Sequence, residues 1–217
     1  HLGANASLTA VEEALGGAFP SVDKMLRVFE TRQVRNRATL AGNLVTASPI
    51  GDMPPVLLSL DASVTLRGPE GARAVPLHEF FTGYRKTALR SGEVMVSVTV
   101  PHGPADPTWR RLAESYKVSK RRELDISIVA AAFCVDVDAQ QVVRHARLAY
   151  GGVAATPARA RKAEAFLVGR PWSRETVAGA CEVLATEFSP IVDVRAGRAY
   201  RQGLVVSLFE KFFDGAS

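Results

Sequence analysis

Three features of the sequence predict an α+β fold. After residue 107, two strand-like segments at 126–137 and 142–150 come before three amphipathic helical segments. Before residue 102, short helical segments flank a hairpin pattern and an alternating strand pattern. The segment 102–107 is rich in turn-forming residues and separates the two parts. We expect a subdomain with a small sheet and helices at 1–101, and at 108–217 a domain whose antiparallel strands carry helices on one face.

Two short helices are predicted at the start of the chain. Thr9 and Glu12 have the spacing of a capping box, and Gly16 and Gly17 would end the helix that follows. Ser21 is a candidate N-cap for the second helix. The apolar side chains of this second helix fall on one face, at Val22, Met25, Leu26 and Phe29.

A helix, a hairpin and a strand should follow. Asp52 before Pro54 marks a helix start, and this helix should run to about Leu60. Residues 68–71 have the sequence Gly-Pro-Glu-Gly, which is typical of a hairpin turn. Valines at alternate positions predict a half-buried strand that Pro101 ends: Val94, Val96, Val98 and Val100.

The second part should contain a strand pair and three helices. The strands are the segments 126–137 and 142–150, both rich in β-branched and small apolar residues. Helices are predicted at 156–168, at 174–187 with Ser173 as N-cap, and at 196–213. The last helix has an apolar face formed by Tyr200, Leu204, Leu208 and Phe212, with Val205 and Phe209 beside it.

The composition is that of an ordinary globular protein. Of its 217 residues 47% are hydrophobic and 23% are charged, and the formal net charge is +5. The arginines are scattered and follow no nucleic-acid-binding motif, so we expect no nucleic-acid partner. No apolar run reaches the roughly 18–20 residues that cross a membrane, and no secretory signal is visible, so we expect no membrane partner.

Cysteines and histidines indicate no metal site in this segment. Cys134 and Cys181 are the only cysteines, and an iron–sulfur cluster typically needs about four thiolates. Cys134 lies in an apolar run and should be a buried, reduced thiol, which fits a cytoplasmic location. The four histidines lack metal-ligand spacing, and no residue pattern indicates a nucleophile or an acid–base pair. We therefore expect neither metal ligands nor catalytic residues, as is usual where a cofactor carries the chemistry.

Residues 32–52, RQVRNRATLAGNLVTASPIGD, form a candidate binding motif. Gly42 lets a ligand approach the backbone and can adopt a positive φ at no steric cost. Thr39 and Asn43 can bond an oxygen-rich ligand, and Asp52 can accept hydrogen bonds from sugar hydroxyls. A tight turn without a ligand would also fit this spacing. Two flanking arginines, which alternation places on one face, are better interpreted as solvated: Arg35 and Arg37.

This stretch resembles the second FAD-binding subdomain of the molybdenum hydroxylases, the xanthine dehydrogenase superfamily. The superfamily pattern is close to R-N-x-x-T-x-G-G-N-x-x-x-x-x-P-x-x-D, and Ala41 stands here at its first glycine. The variant T-A-S-P-I-G-D, followed by F-F-T-G-Y-R-K-T at 80–87, is similar to the xanthine dehydrogenase branch. Short motifs at 150–152, 156–157 and 193–196 resemble the family's C-terminal flavoprotein domain, whose role is mostly packing and subunit contact.

The resemblance implies a set of FAD-binding residues. Thr39 and Asn43 match positions that hydrogen-bond FAD, and Asp52 matches a carboxylate that accepts from its hydroxyls. Phe29 matches an aromatic residue that packs on a ring of the flavin nucleotide, with Met95 at the aliphatic position on the opposite side. Periodicity alone makes Phe29 a core residue, so both roles stay open for it.

Residues 117–126, KVSKRRELDI, form a second candidate region. Lys117 matches a lysine that contacts FAD, and the basic loop after it would lie beside the flavin and control the approach of NAD. Leu124 stands where mammalian members of the family have an acidic residue. The alternative is a solvated loop with pairing among its own charges: Lys120, Arg121, Arg122, Glu123 and Asp125.

The resemblance also implies a function and partners. The chain would be the FAD-containing electron-transfer part of an enzyme that hydroxylates hypoxanthine or xanthine at a molybdopterin centre in another subunit or domain. Electrons would pass through two [2Fe–2S] clusters of an upstream domain to FAD and then to NAD, in a dimer of heterodimers. The glycine-rich pyrophosphate loop of the first FAD subdomain should precede His1, so upstream residues would complete the FAD site.

Two other functions remain open. The chain could belong to a related hydroxylase that acts on CO, aldehydes or an aromatic thioester, although the T-A-S-P-I and G-Y-R-K-T phrases disfavour this. It could also be a non-catalytic interaction scaffold, because it holds only part of the expected cofactor site. A glycine-rich loop and an eight-cysteine domain upstream would decide between these possibilities.

Overall fold

The computed structural model describes residues 1–121, 125–190 and 192–216. In these residues the helices are α1 Leu8–Leu15, α2 Pro20–Val28, α3 Arg32–Arg35, α4 Leu40–Val45, α5 Met53–Ser59, α6 Leu77–Phe80, α7 Arg161–Leu167, α8 Arg174–Glu187 and α9 Arg198–Ala216. The strands are β1 Leu2–Gly3, β2 Ser63–Gly68, β3 Gly71–Pro76, β4 Phe81–Gly83, β5 Lys86–Thr87, β6 Val94–Thr99, β7 Arg110–Val118, β8 Val129–Val137, β9 Val143–Gly151 and β10 Ala158–Arg159. The predicted α+β class is confirmed. None of the described helices is long and apolar enough to cross a membrane.

The first part of the chain contains an antiparallel sheet in the order β1-β6-β2-β3. The predicted hairpin joins β2 to β3, with Gly68 paired to Gly71. The predicted valine strand is β6, but the valines do not all share its buried face. Met95 and Val98 are buried whereas Val94 is 61% exposed. The pairing skips Val96 between Ser97 and Met95, and such a bulge reverses the side-chain alternation.

A second antiparallel sheet, in the order β10-β9-β8-β7, lies at the centre of the molecule. Pairing of β8 with β9 was predicted and is confirmed, with the ladder extended by β7. The helices predicted to follow the strands lie on one face of this sheet, as expected: α7 and α9 pack on it, with α8 against both. The other face is covered by α2 and α5 from the first part, which was not predicted.

The two parts of the chain therefore share a core. Ala130, Ala132, Cys134 and Ala149 point from the central sheet into the cluster built by the first part, where their small side chains admit α5. Every residue of α5 is buried, as expected for a helix that is apolar all round. The predicted boundary at 102–107 lies in the connection between β6 and β7. The division into domains at 1–101 and 108–217 stays a prediction.

Several predicted helix starts differ from the structure. Helix α1 begins at Leu8 because Ser7, and not Thr9, accepts a hydrogen bond from the Ala10 N–H. Helix α2 begins at Pro20, so Ser21 lies inside its first turn and does not cap it. The helix predicted at 156–168 begins later, at Arg161, because the two-residue strand β10 occupies 158–159. The Ser173 cap of α8 is confirmed, since its side chain accepts from the Thr176 N–H.

The buried face of α9 is rotated from the predicted one. Tyr200 is 54% exposed, whereas the next residue, Arg201, is completely buried. The core side of α9 also contains Val205, Leu208, Phe209, Phe212 and Phe213. Strict i, i+4 steps drift around a helix of about 3.6 residues per turn, so the predicted stripe leaves the core at its N-terminal end.

Both cysteines are buried and reduced, as predicted for Cys134.

Candidate functional site

A cleft of about 510 Å³ lies where the two parts of the chain meet. Segments that are far apart in sequence converge on it from both parts. It is lined by Phe29, Glu30, Asn43, residues 48–52, Tyr84, Arg85, residues 125–127, Asp193 and Arg195. The cleft therefore brings together three of the predicted site residues: Phe29, Asn43 and Asp52.

Backbone conformations that are unfavourable for side chains concentrate around the cleft. Glu30, with φ of 45°, and Arg85, with φ of 51°, both line it. Ala47, with φ of 46°, immediately precedes the 48–52 loop. Left-handed conformations are disfavoured for residues other than glycine, and residues held in such strained conformations cluster at ligand-binding and catalytic sites. Their distribution supports a functional role for this cleft.

Asn43 lines the cleft, and its side chain holds an unused hydrogen-bond acceptor. It lies on α4, and its side-chain oxygen is buried without a hydrogen-bond partner among the described residues. Leaving such a group unpaired costs about 1–3 kcal/mol, which a ligand that donates a hydrogen bond would recover. The arrangement therefore fits a bound molecule with N–H or O–H groups, such as the nucleotide predicted from the sequence.

Thr39 and Gly42 hold α4 in place but do not line the cleft. The Thr39 hydroxyl caps the helix by accepting from the Gly42 N–H at 3.0 Å. Gly42 does not use a positive φ, because it is inside the helix. Its lack of a side chain matters for another reason, since a Cβ there would lie 3.0 Å from the Thr39 hydroxyl oxygen. The two residues together fix the helix turn that carries Asn43.

Asp52 and Lys117, both predicted to contact FAD, bond to each other. The Lys117 ammonium donates to Asp52 Oδ2 at 2.8 Å, and the Ser127 hydroxyl donates to Asp52 Oδ1 at 2.5 Å. The side chains of Lys117 and Asp52 are only 3% and 9% exposed. Asp52 begins the buried helix α5, while Lys117 is on β7 and Ser127 precedes β8. The carboxylate therefore joins the first part of the chain to the second at the base of the cleft.

The loop before Asp52 lies directly on the end of β9. The Gly152 N–H donates to Pro49 O at 2.7 Å, and a Cβ on Gly151 would lie 3.2 Å from the same oxygen. Gly152 has φ of 86°, and a Cβ there would lie 2.3 Å from Ile128 O. The Tyr-Gly-Gly motif at 150–152, for which the family resemblance implied a packing role, thus shapes the cleft.

Arg201 holds the opposite wall and was not recognised from the sequence. It is fully buried, and its guanidinium donates to Gly152 O at 2.9 Å, to Ile128 O at 2.5 Å and to Asp193 Oδ1 at 2.7 Å. Burial raises the pKa of Asp193, but hydrogen bonds from the Arg195 N–H and the Arg201 side chain outweigh it, and the pKa falls to about 2. Asp193 is therefore ionised at neutral pH and keeps the 193–196 turn in place.

The prediction that the flanking residue Arg35 is solvated is wrong. The alternation that predicted a solvated side chain does not exist, because residues 32–35 form helix α3. The Arg35 side chain is only 14% exposed and donates to Phe29 O and Glu30 O. Arg37 is exposed, as predicted.

Neither Met95 nor Lys120 of the basic loop lines the cleft. Met95 is 8% exposed and belongs to the core of the first part, and it does not line the cleft. The Lys120 ammonium is 3.4 Å from Val194 O, beside the 193–195 wall. The predictions made for Arg122, Glu123 and Leu124 fall outside the described residues.

Comparisons with known proteins identify the class. The family model described as the FAD binding domain in molybdopterin dehydrogenase matches residues 1–103. The one described as the CO dehydrogenase flavoprotein C-terminal domain matches residues 114–216. Together these two matches identify an FAD-binding flavoprotein. The chain belongs to the flavoprotein portion of the molybdenum hydroxylase family.

Individual relatives agree with this assignment. Nicotinate hydroxylase from Emericella nidulans is 39% identical over 211 residues, which cover 95% of this chain and 16% of the relative. Xanthine dehydrogenase from the same organism is 36% identical, with 98% of this chain and 16% of the relative covered. The chain therefore spans about a sixth of the length of these relatives.

Solved structures show the same fold. Carbon monoxide dehydrogenase from Hydrogenophaga pseudoflava superposes with a TM-score of 0.88 at 27% identity, covering 98% of this chain and 73% of that chain. Quinoline 2-oxidoreductase from Pseudomonas putida 86 superposes with a TM-score of 0.85, also at 27% identity and with the same coverage of each chain.

Proposed function

We propose that this chain is the FAD-containing electron-transfer portion of a xanthine dehydrogenase. In this proposal [2Fe–2S] clusters would supply the electrons, and a molybdopterin centre in another domain or subunit would hydroxylate hypoxanthine or xanthine. Bound FAD would supply the redox chemistry that passes these electrons on to NAD. The unpaired, buried side-chain oxygen of Asn43 in the cleft is the observation that carries the FAD assignment.

The cleft residues would have distinct roles toward FAD. Asn43 accepts a hydrogen bond from the nucleotide, and the Phe29 ring packs on one of its flat ring systems. Asp52 retains lone pairs beyond those used by Lys117 and Ser127, so it can accept from a sugar hydroxyl while also holding the base of the cleft. For Asp52 and Lys117 we propose a joint role as one ion pair.

The remaining predicted residues would act at the edge of this site. Thr39 and Gly42 fix the turn that carries Asn43, and a FAD atom could still reach their backbone. Met95 would contact a FAD ring only from the core side, because it does not line the cleft. A pyrophosphate loop from upstream residues would complete the site. A dimer of heterodimers, with iron–sulfur and molybdenum-binding parts, is the assembly that we propose.

The use of NAD rests on the basic loop after Lys117. Replacing Arg121 and Arg122 together by glutamine should raise the KM for NAD and weaken its dependence on salt, since attraction of an anionic ligand is screened over about 8–10 Å at ordinary ionic strength. Turnover with a dye that accepts electrons upstream of the flavin should be unchanged. Equal losses with NAD and with the dye would indicate a structural loop and argue against this role.

A second candidate function differs in substrate. The 39% identity to a nicotinate hydroxylase favours a nitrogen heterocycle other than a purine at the molybdenum centre. Both candidates use the same FAD cleft. Turnover assays of the intact enzyme with xanthine and with nicotinate would distinguish them, since the preferred substrate should show the higher kcat/KM.

The FAD assignment is tested by replacing Asn43 in the intact enzyme. Asn43→Ala removes the acceptor and should weaken FAD binding roughly tenfold to hundredfold, while iron content stays constant. Val45→Ala is the matched control, because Val45 is on the same helix and 38% exposed. Full FAD occupancy of Asn43→Ala after extensive dialysis would contradict the assignment.

A further inference from the structure

We propose that Arg35 is a positioning residue of the flavin cleft. It would hold the turn formed by Phe29 and Glu30, so that the Phe29 ring stays against the cofactor. The inference rests on the proposed FAD function, and it adds a residue that does not itself line the cleft.

The hydrogen bonds of Arg35 are the first observation. One guanidinium nitrogen, Nη1, donates to Phe29 O at 3.1 Å and to Glu30 O at 3.0 Å. These carbonyls follow the end of α2, where no further helical turn can use them. With the Arg35 side chain only 14% exposed, water cannot easily replace these bonds. A charged donor makes stronger bonds than a neutral one.

The conformation of Glu30 is the second observation. Its φ of 45° is in the left-handed region, which a residue with a side chain adopts only when its surroundings enforce it. Among its described neighbours, Arg35 donates to the carbonyls of the two peptide units that flank the Glu30 Cα, namely Phe29 O and Glu30 O. The guanidinium therefore stabilises the turn that the backbone alone would avoid.

Local structure brings Arg35 back over this turn. The Thr31 hydroxyl caps α3 by accepting from the Val34 N–H at 3.3 Å. One helical turn then reverses the chain, with the Arg35 N–H donating to Thr31 O at 2.9 Å. Glu12 on α1 lies 3.9 Å from Arg35 Nε and complements the charge from the other side. Arg35 is thus fixed by two neighbouring helices before it reaches the turn.

The consequence for the cofactor follows from Phe29. This residue ends α2, is 7% exposed and lines the cleft. A planar ring contributes to ligand binding only while it faces the ligand, so freeing the turn should weaken FAD binding without removing any group that contacts FAD. Lysine has three donors on a flexible stem and should preserve part of the effect.

The test compares variants of the intact flavoprotein. Arg35→Gln should bind FAD roughly tenfold more weakly, Arg35→Lys should lose less, and Arg37→Gln, at an exposed position two residues away, should bind as wild type. Glycine adopts a positive φ without strain, so adding Glu30→Gly to Arg35→Gln should restore part of the FAD affinity. Dissociation of FAD is followed by its fluorescence, and melting of the FAD-free proteins reports folding.

Three results would overturn the proposal. They are wild-type FAD affinity in Arg35→Gln, equal losses in Arg35→Lys and Arg35→Gln, and a double variant that binds no better than Arg35→Gln. The double variant also covers the case in which Arg35→Gln alone folds poorly. If Phe29→Ala and Asn43→Ala keep FAD as well, the proposed FAD site itself is wrong, which is a different outcome from failure of the Arg35 proposal alone.

Discussion

Replacing Asp52 by asparagine should destabilise the protein even before FAD binds. The change keeps the shape of the side chain and can preserve the bond from Ser127, but it removes the negative charge beside Lys117. The Lys117 and Asp52 side chains are 3% and 9% exposed, so water cannot compensate for the loss. Truncating one partner of a buried ion pair typically costs about 3–5 kcal/mol, and we expect a loss of this size.

A double-mutant cycle distinguishes a mutual pair from two independent FAD ligands. Lys117→Met should cost about as much as Asp52→Asn, because it leaves the carboxylate buried with one partner fewer. The double variant carries neither charge and should be no less stable than either single variant. Chemical unfolding of the FAD-free protein measures the three free energies, and FAD affinity is measured in parallel.

An exposed ion pair provides the control. Asp214 pairs with Arg174 at 2.9 Å, but the side chains are 56% and 80% exposed. Asp214→Asn should therefore change stability by less than about 1 kcal/mol. If the changes at Asp52 and Lys117 leave the FAD-free protein equally stable and lower FAD affinity additively, the two residues are separate ligands and the joint role is refuted.

Two further predictions concern the walls of the cleft. Gly152→Ala should lower the melting temperature of the FAD-free protein far more than Gly169→Ala. Both glycines have a positive φ, but of the two only Gly152 would place a Cβ against another atom, Ile128 O at 2.3 Å. Equal losses in the two variants would contradict this packing. Asp193→Asn should lower the Tm at pH 7. Because the pKa of Asp193 is about 2 in the fold and 3.8 ordinarily, its ionised form stabilises the fold above pH 4, and the Tm difference from wild type should shrink as the pH falls toward about 2.

Local signals in the sequence predicted the elements that depend on neighbouring residues. The hairpin at 68–71, the Ser173 cap and the start of α5 after Asp52 all follow from turn and capping preferences over a few positions. The valines of β6 do alternate in the sequence, but the bulge at Val96 moves the side chains that follow it to the opposite face of the sheet. The bulge arises from the pairing with β2, which cannot be predicted from the residues of β6 alone.

The layers and the site depended on contacts between distant residues. Side-chain chemistry singled out Asn43 and Asp52, the family resemblance added a ligand role for Phe29, and all three line one cleft. The bond between Asp52 and Lys117 spans 65 positions, and no spacing rule indicates it. Burial of Arg201 likewise arises from the carbonyls at the ends of β8 and β9. Periodicity describes which face of an element is apolar, but not which distant polar groups will meet there.

The position of FAD in the intact enzyme is the most direct test of the central claim. A structure determined with FAD bound should show a nucleotide donor within hydrogen-bonding distance of Asn43 Oδ1, inside the cleft between Phe29 and Arg195, with the Phe29 ring packed on the cofactor. FAD bound elsewhere, with the side-chain oxygen of Asn43 still unpaired, would contradict the account.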